Sequence, residues 1–364
     1  MRVRPDNKGL ILVAVLWMVV LMTSIVAIVG QTGRLNFKMA TAALDETRCR
    51  WACRAGMEMA VGLLNEDLRD TDCLMDLWSD NDEDFNDVQL ERCAYSVRVT
   101  DEAGKLNINT ATKEQLMGLP YMESEVADAI LDWRDGDENP RSEGAEAGYY
   151  ENLAIPYTIR DGALKTIREL LAVKGLTKDL LYGEDTNLNG QLDYNEMDGE
   201  VSPPTDNGDS YLDKGWIAYL TCYSYENNVD ALGNNRVNIN EADEQVLQNQ
   251  LGLTRGQAQW IVENRGGGFE SVADLINNNT ADKPSEGGGG NNAQPIDLET
   301  FHQIVDKITI AGEGKIPGKI NINTAPKEVL VALLGGNEQA EQLAQSILSD
   351  RAGRLYGLAR SRIC

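Results

Sequence analysis

Between Asp185 and Glu196 the chain places oxygen-bearing side chains at a spacing that suits a hard cation. Asp185, Asn187, Asn189 and Asp193 fall at positions 1, 3, 5 and 9 of an EF-hand-type loop, with Gly190 at the sharp turn. Gln191 offers its backbone carbonyl, and Glu196 can bind through both carboxylate oxygens. Calcium is the expected ion. Gly199, Pro203 and Pro204 rule out a long exit helix, so the motif reads as a calcium-clamped loop and not as a sensor that opens. A second loop is suggested by Asn207, Asp209, Tyr211 and Asp213, although Ser210 stands where Gly is expected and Thr205 where Asp is. Asp132, Asp135, Asp137, Glu143 and Glu146 form another oxygen-rich cluster, which reads equally well as a metal site or as a solvated acidic turn. Catalysis finds little support. His302 is the single histidine, and no Ser/His/Asp or Cys/His arrangement can be drawn around it, so the expectation is a protein that is not an enzyme.

These loops need a scaffold. Residues 109–213, which contain them, are dominated by helical patterns such as Ser124 to Trp133 and Leu164 to Val173, and a segment of that length is expected to carry its own core. Strand candidates are Ala94 to Thr100, Trp216 to Tyr225, Arg236 to Ile239, Ile304 to Ile310 and Lys319 to Ile322. Gly287 to Gly290 forms a low-complexity linker. Three segments echo one another: residues 104–112, 236–243 and 318–326, each built on Asn-Ile-Asn at Asn107, Asn238 and Asn321. Each is expected to be a short strand running into a helix, with Asn109, Asn240 or Asn323, or the Thr that follows in two copies, as the N-cap. The helices that follow, anchored by Leu116, Leu247 and Leu330, look like helix-hairpin-helix units.

Such units often bind DNA through glycine-rich hairpins that offer backbone N–H groups to phosphate. Here 33 basic residues face 58 acidic ones, a formal charge of -25, and Glu123 and Glu125 flank the first hairpin. Nucleic acid is therefore not the expected partner, because phosphate binding draws its affinity from Lys and Arg.

At the N-terminus, residues 10–33 form one apolar run long enough to cross a bilayer, preceded by Arg2, Arg4 and Lys8 and a single Gly9. The helix is expected to run on to about Asn65, with Ala52, Ala55, Met59 and Leu63 as its packed stripe. This leader and span resemble a type IV pilin-like preprotein. The resemblance implies that a prepilin peptidase cuts between Gly9 and Leu10 and that the new N-terminus is methylated. The usual glutamate at the fifth mature position is replaced by Ala14, a departure shared by the tip-forming minor pseudopilins of type II secretion, the K family. The Asn-Ile-Asn-Thr-Ala segments, Asp132-Trp133-Arg134-Asp135, Gly144-Ala145-Glu146 and the runs ending at Tyr157 and Gly175 are similar to that family as well.

The resemblance implies an α+β, pilin-like fold: a long N-terminal helix packed on a small antiparallel sheet, with a large helical insertion containing the hairpin units. The expected segments are a leader (1–9), a transmembrane part (10–33), a periplasmic helix with the first strands (34–108), the inserted helical domain with its calcium loop (109–213), and the remaining strands and hairpin segments (214–364). It further implies a single-pass protein of the inner membrane at the tip of the pseudopilus, with partners among the minor pseudopilins I and J and the major pseudopilin G. The alternative is a membrane-anchored helix-hairpin-helix receptor for DNA uptake. None of the six cysteines has metal-binding spacing; with the soluble part outside the cytoplasm, Cys73 and Cys93 are the expected disulfide, closing a short acidic loop.

Overall fold

The structure is a computed structural model and describes residues 8–67, 72–204, 206–277, 293–312 and 314–351. The leader residues 1–7, Thr205, the glycine run 287–290 and Cys364 lie outside the described residues.

The chain divides into two units, one of residues up to 67 with 75–99, the other of residues 68–74 with those from 100 onward. In the first, a single helix of 59 residues runs from Lys8 to Glu66, as the absence of Pro and the continuous helix-forming sequence dictate. Its N-terminal part is long and apolar enough to cross a membrane, with a mean hydropathy of 2.8 in its most apolar window. Thr23 and Ser24 donate to the carbonyls of Val19 and Val20, so the few hydroxyls in the span are satisfied within the helix. Further along, the buried positions are Ala52, Gly56 and Ala60, one row at steps of four, whereas Ala55 and Met59 of the expected stripe are exposed. The reason is steric: Tyr95 and Val97 lie on this row so closely that a Cβ on Gly56 would fall 2.5 Å from Val97 Cγ2. The strands there are short, Val88–Gln89 antiparallel to Ala94–Tyr95.

The second unit is organised by the three Asn-Ile-Asn copies, and each builds the same device. The first Asn accepts from the N–H two residues on: Asn107 Oδ1 from Asn109 N, Asn238 from Asn240, Asn321 from Asn323. A pair of helices follows: Lys113–Met117 with Ser124–Arg134, Glu244–Leu251 with Arg255–Asn264, and Lys327–Leu333 with Glu338–Arg351. At or just beyond the end of the second helix an arginine reaches back to the turn. Arg134 donates to Ile108 O and Ala111 O, Arg265 to Ile239 O and Ala242 O, and Arg351 to Ile322 O and Ala325 O.

The expected caps are displaced. Thr112 and Asp243 cap their helices three residues after Asn109 and Asn240, and Pro326 stands at the third N-cap with no side-chain bond. Asn109 and Asn240 instead clamp a distant backbone through both amide atoms, at Leu164 and Phe269 respectively.

The first and third copies share one core. Leu106, Ile108, Leu116 and Ile130 bury with Ile320, Ile322, Val329 and Leu330, together with Leu170, Leu181 and Trp216 of the intervening segment. Residues 109–213 therefore have no separate core of their own. Close approach explains the arrangement: Gly118, at the end of helix Lys113–Met117, would put a Cβ 2.6 Å from Ala332 Cα of the third copy. The second copy has its own core of Val237, Ile239, Leu247, Ile261, Phe269 and Ile308.

Strands in this unit are two or three residues long. Leu106–Asn107 pairs in parallel with Leu220–Thr221, Val237–Asn238 in parallel with Ile308–Thr309, and Tyr225–Asn227 antiparallel with Lys315–Pro317. The last strand lies ahead of the expected Lys319 to Ile322. Trp216–Ala218 forms a 3₁₀ turn, and Leu164 to Val173 forms a 3₁₀ segment over Ile167–Ala172.

Candidate metal centre

The short helix Lys178–Tyr182 delivers the chain to the first oxygen-rich loop. It ends at Gly183 with φ +63, where a side chain would meet Asp213 O at 2.2 Å and Gly215 N at 2.5 Å. That contact is a backbone clasp: Gly183 pairs antiparallel with Lys214, and Glu184 N donates to Asp213 O at 2.9 Å. The entrance of the first loop and the exit of the second are thus held at one place.

Within the first loop the side-chain oxygens fold inward around the turn. Asp185 Oδ2 accepts from Gly190 N at 2.9 Å, Asn187 Oδ1 from Asn189 N at 2.9 Å, and Asn189 Oδ1 from Gln191 N at 2.7 Å. Glu196 Oε2 accepts from Asp193 N at 3.0 Å, which brings the twelfth position back over the ninth. Leu188 and Gly190 both take positive φ, +59 and +64, the backbone needed for so tight a curl. Asp193 Oδ2 takes the amide donors of Asn187 and Asn189 at 2.7 and 2.8 Å.

Two oxygens remain without a partner and are buried: Asp185 Oδ1 and Glu196 Oε1. Glu196 is 1% exposed and Asp185 8%. Burying carboxylate oxygens without a donor is costly. A divalent cation would engage both, so the donor set fits calcium at Asp185, Asn187, Asn189, Asp193, Glu196 and the Gln191 carbonyl.

The second loop repeats the geometry more fully than its sequence suggests. Asn207 Oδ1 accepts from Asp209 N at 2.8 Å, Asp209 Oδ1 from Tyr211 N at 2.7 Å, and Asn207 Nδ2 donates to Asp213 Oδ2 at 3.1 Å. Gly208 and Ser210 carry the two positive φ values, so Ser210 does what Gly190 does in the first loop. The Tyr211 side chain is exposed, which leaves its backbone as the relevant part. Position 12 is Trp216, which cannot ligate; it is buried and donates to Pro120 O at 2.8 Å, fastening the loop to the first hairpin unit.

A carboxylate from outside the second loop folds onto it. Glu184 Oε2 accepts from Asp213 N at 2.9 Å, as Glu196 does from Asp193, and its Oε1 accepts from Asn207 N at 3.2 Å. Asp206 also turns inward, taking N–H groups from Asp198, Gly199 and Gly208. Glu184 and Asp206 were not expected. Glu184 lies 29 residues from Asp213, so no loop-spacing rule could have found it; the available sign was an acidic residue directly ahead of a strong loop. Cys73 is buried and Cys93 half-buried, with Cys93 as a thiol in this structure; their pairing stands as a proposal.

Two of the backbone donors in the second hairpin are already taken. In the second copy Gly252 N donates to Gln248 O and Thr254 N to the Gln257 side chain. In the first copy Tyr121 occupies the left-handed position, φ +58, that Gly252 holds in the second.

Comparison with known proteins follows the same three copies. Residues 104–182 and 320–357 match family models described as type II secretion system protein K, and residues 233–281 match a helix-hairpin-helix motif. Two separate stretches of the chain thus resemble type II secretion system protein K. The two family-specific matches begin at the first and third copies, the pair that shares a core. A type II secretion system protein K of Pectobacterium carotovorum subsp. carotovorum is 22% identical over 205 residues, 49% of this chain and 61% of that relative. The chain thus spans about 61% of the length of the curated relative it matches. A chain in the GspK–GspI–GspJ complex of the enterotoxigenic Escherichia coli type 2 secretion system is also similar, at 17% identity and a TM-score of 0.33, covering 38% of this chain and 55% of that one.

Proposed function

We propose that this chain is a minor pseudopilin at the tip of the type II secretion pseudopilus, a non-enzymatic assembly component for protein export across the outer membrane. The observation that carries the reading is the pair of protein K matches on the two copies that share the main core, in a chain that also bears one membrane-length helix. The soluble part lies in the periplasm, the helix in the inner membrane. Prepilin peptidase cuts between Gly9 and Leu10, and the mature N-terminus is methylated. Minor pseudopilins I and J are the neighbours, with the major pseudopilin G below.

Ala14 fits a tip position. A carboxylate in lipid is costly unless paired, and a subunit with nothing above it has no neighbour's amine to recruit. Calcium, when bound, supplies positive charge that holds the two loops closed. Glu184 and Asp185, adjacent in sequence, then tie the loops at residues 185–196 and 206–213 to one helix exit.

The test is mass analysis of the membrane-extracted protein together with co-purification. A mature chain beginning at Leu10, captured with pseudopilins I and J and lost with a bulky residue at Gly9, is the expected outcome. A chain that begins after Gly30 would replace this reading with a cleaved secretory signal, and secretion that persists after deletion of the gene would remove the chain from the machinery.

A further inference from the structure

Beyond the two loops, a second set of carboxylates converges where helix Ser124–Arg134 ends and the chain turns back toward helix Ala147–Tyr150. Asp132 is fully buried and fully committed. Its carboxylate accepts from Arg141 Nη1 at 2.5 Å and from Arg141 N at 3.1 Å, and Gly144 lies so near that a Cβ there would fall 1.9 Å from Asp132 Oδ2. Arg141 also reaches Asp135 Oδ2 at 2.6 Å. The one arginine of this turn is therefore used on Asp132 and on one oxygen of Asp135.

Three buried oxygens are left without any donor: Asp135 Oδ1 and both oxygens of Glu146. Glu146 is only 6% exposed. Asp135, Asp137 and Glu146 each offer a carboxylate oxygen, and the three oxygens lie within 4.8 Å of one another. Ligands at about 2.3–2.6 Å from a calcium ion, on opposite sides of it, are about 5 Å apart, so this separation is what one ion spans. Asp137 is exposed and gives the group an open side.

We infer that Asp135, Asp137 and Glu146 form a binding site for a hard divalent cation, built from residues separate from both loops. Oxygen-only, carboxylate-rich donors select such an ion over softer metals. The competing occupant is a proton. Burial, then the charges of Asp132, Asp135, Asp161 and Asp137, push the Glu146 carboxyl up to about 7. A proton on Glu146 would neutralise one charge of the group, whereas an ion is matched by all three residues together.

Glutamine at 146 mimics the protonated acid and removes the ligand charge, so it separates the two occupants. The full chain in detergent is dialysed to equilibrium against radioactive calcium at about 5 mM free ion, above the 10⁻⁴–10⁻³ M range of extracellular calcium sites. Glu146→Gln is expected to bind one ion fewer per chain than the unmutated protein. Asp137→Asn, an exposed change that leaves the fold intact, is expected to lose the same ion, and Glu146→Gln combined with Glu196→Gln to lose one more than either alone. Should Glu196→Gln lose nothing while Glu146→Gln loses one, the loop reading fails and this site stands. Equal counts in the unmutated protein, Asp137→Asn and Glu146→Gln would overturn the inference and leave Glu146 as a buried acid.

Discussion

Arg265 holds together the turn that opens its hairpin unit, and Arg134 and Arg351 do the same for theirs. Each gives two charge-assisted bonds to carbonyls of the turn just ahead of the unit's first helix. Arg265→Ala should therefore destabilise the second unit by about 1–3 kcal/mol, the cost of leaving buried acceptors unmet, measured by denaturant unfolding; no change in the midpoint would mean that water takes over the carbonyls. At the same scale, Glu196→Ala and Asp185→Ala should each lower the melting temperature in calcium towards the value seen with chelator. At ten times Kd the lost linkage is about 1.4 kcal/mol, a shift of a few degrees. Identical melting curves for the unmutated protein in calcium and in chelator would reduce the loop to a turn. The curl of the first loop was legible because its oxygen-bearing positions lie within twelve consecutive residues. Glu184 was not, since its partners Asn207 and Asp213 meet it only through the clasp at Gly183.

At the level of elements, the long helix could be read directly, because apolar length and unbroken helix-forming residues leave no alternative. The strands could not. With two or three residues in each, alternation has no room to repeat, and pairing is decided by which copy lies alongside. Trp216 illustrates the failure: it looked like a strand residue, yet it is buried in a 3₁₀ turn that fastens the second loop to Pro120. The stripe on the long helix was misplaced for a related reason, since steps of three and four fit several rows and only the neighbouring Tyr95 and Val97 select Ala52, Gly56 and Ala60. The prediction at this scale is Gly183→Ala. A Cβ would collide with the backbone of residues 213–215 at a positive φ, so the change should cost more than the about 1 kcal/mol typical of glycine sites. It should also weaken calcium binding in both loops together. Loss of only one loop's ion in a dialysis measurement would show that the clasp does not couple them.

For the whole molecule, the formal charge of -25 leads to one expectation about partners. The detergent-solubilised chain should not shift duplex DNA at physiological salt; micromolar, salt-sensitive retention in a gel-shift titration would restore the uptake receptor as a competitor. The shared core of the first and third copies also sets an order of events in time. Leu106 and Ile108 must wait for Ile320 and Ile322, more than two hundred residues downstream, before their burial is complete. A chain delivered from its N-terminus would carry its first copy half-covered through most of its emergence, exposed to proteases and in need of a holding chaperone. The second copy, closed by residues between Val237 and Ile308, can mature first. The residues that finish the main core then arrive long after those that begin it, so folding of the full unit doubles as a check that the chain has been delivered through to its third copy.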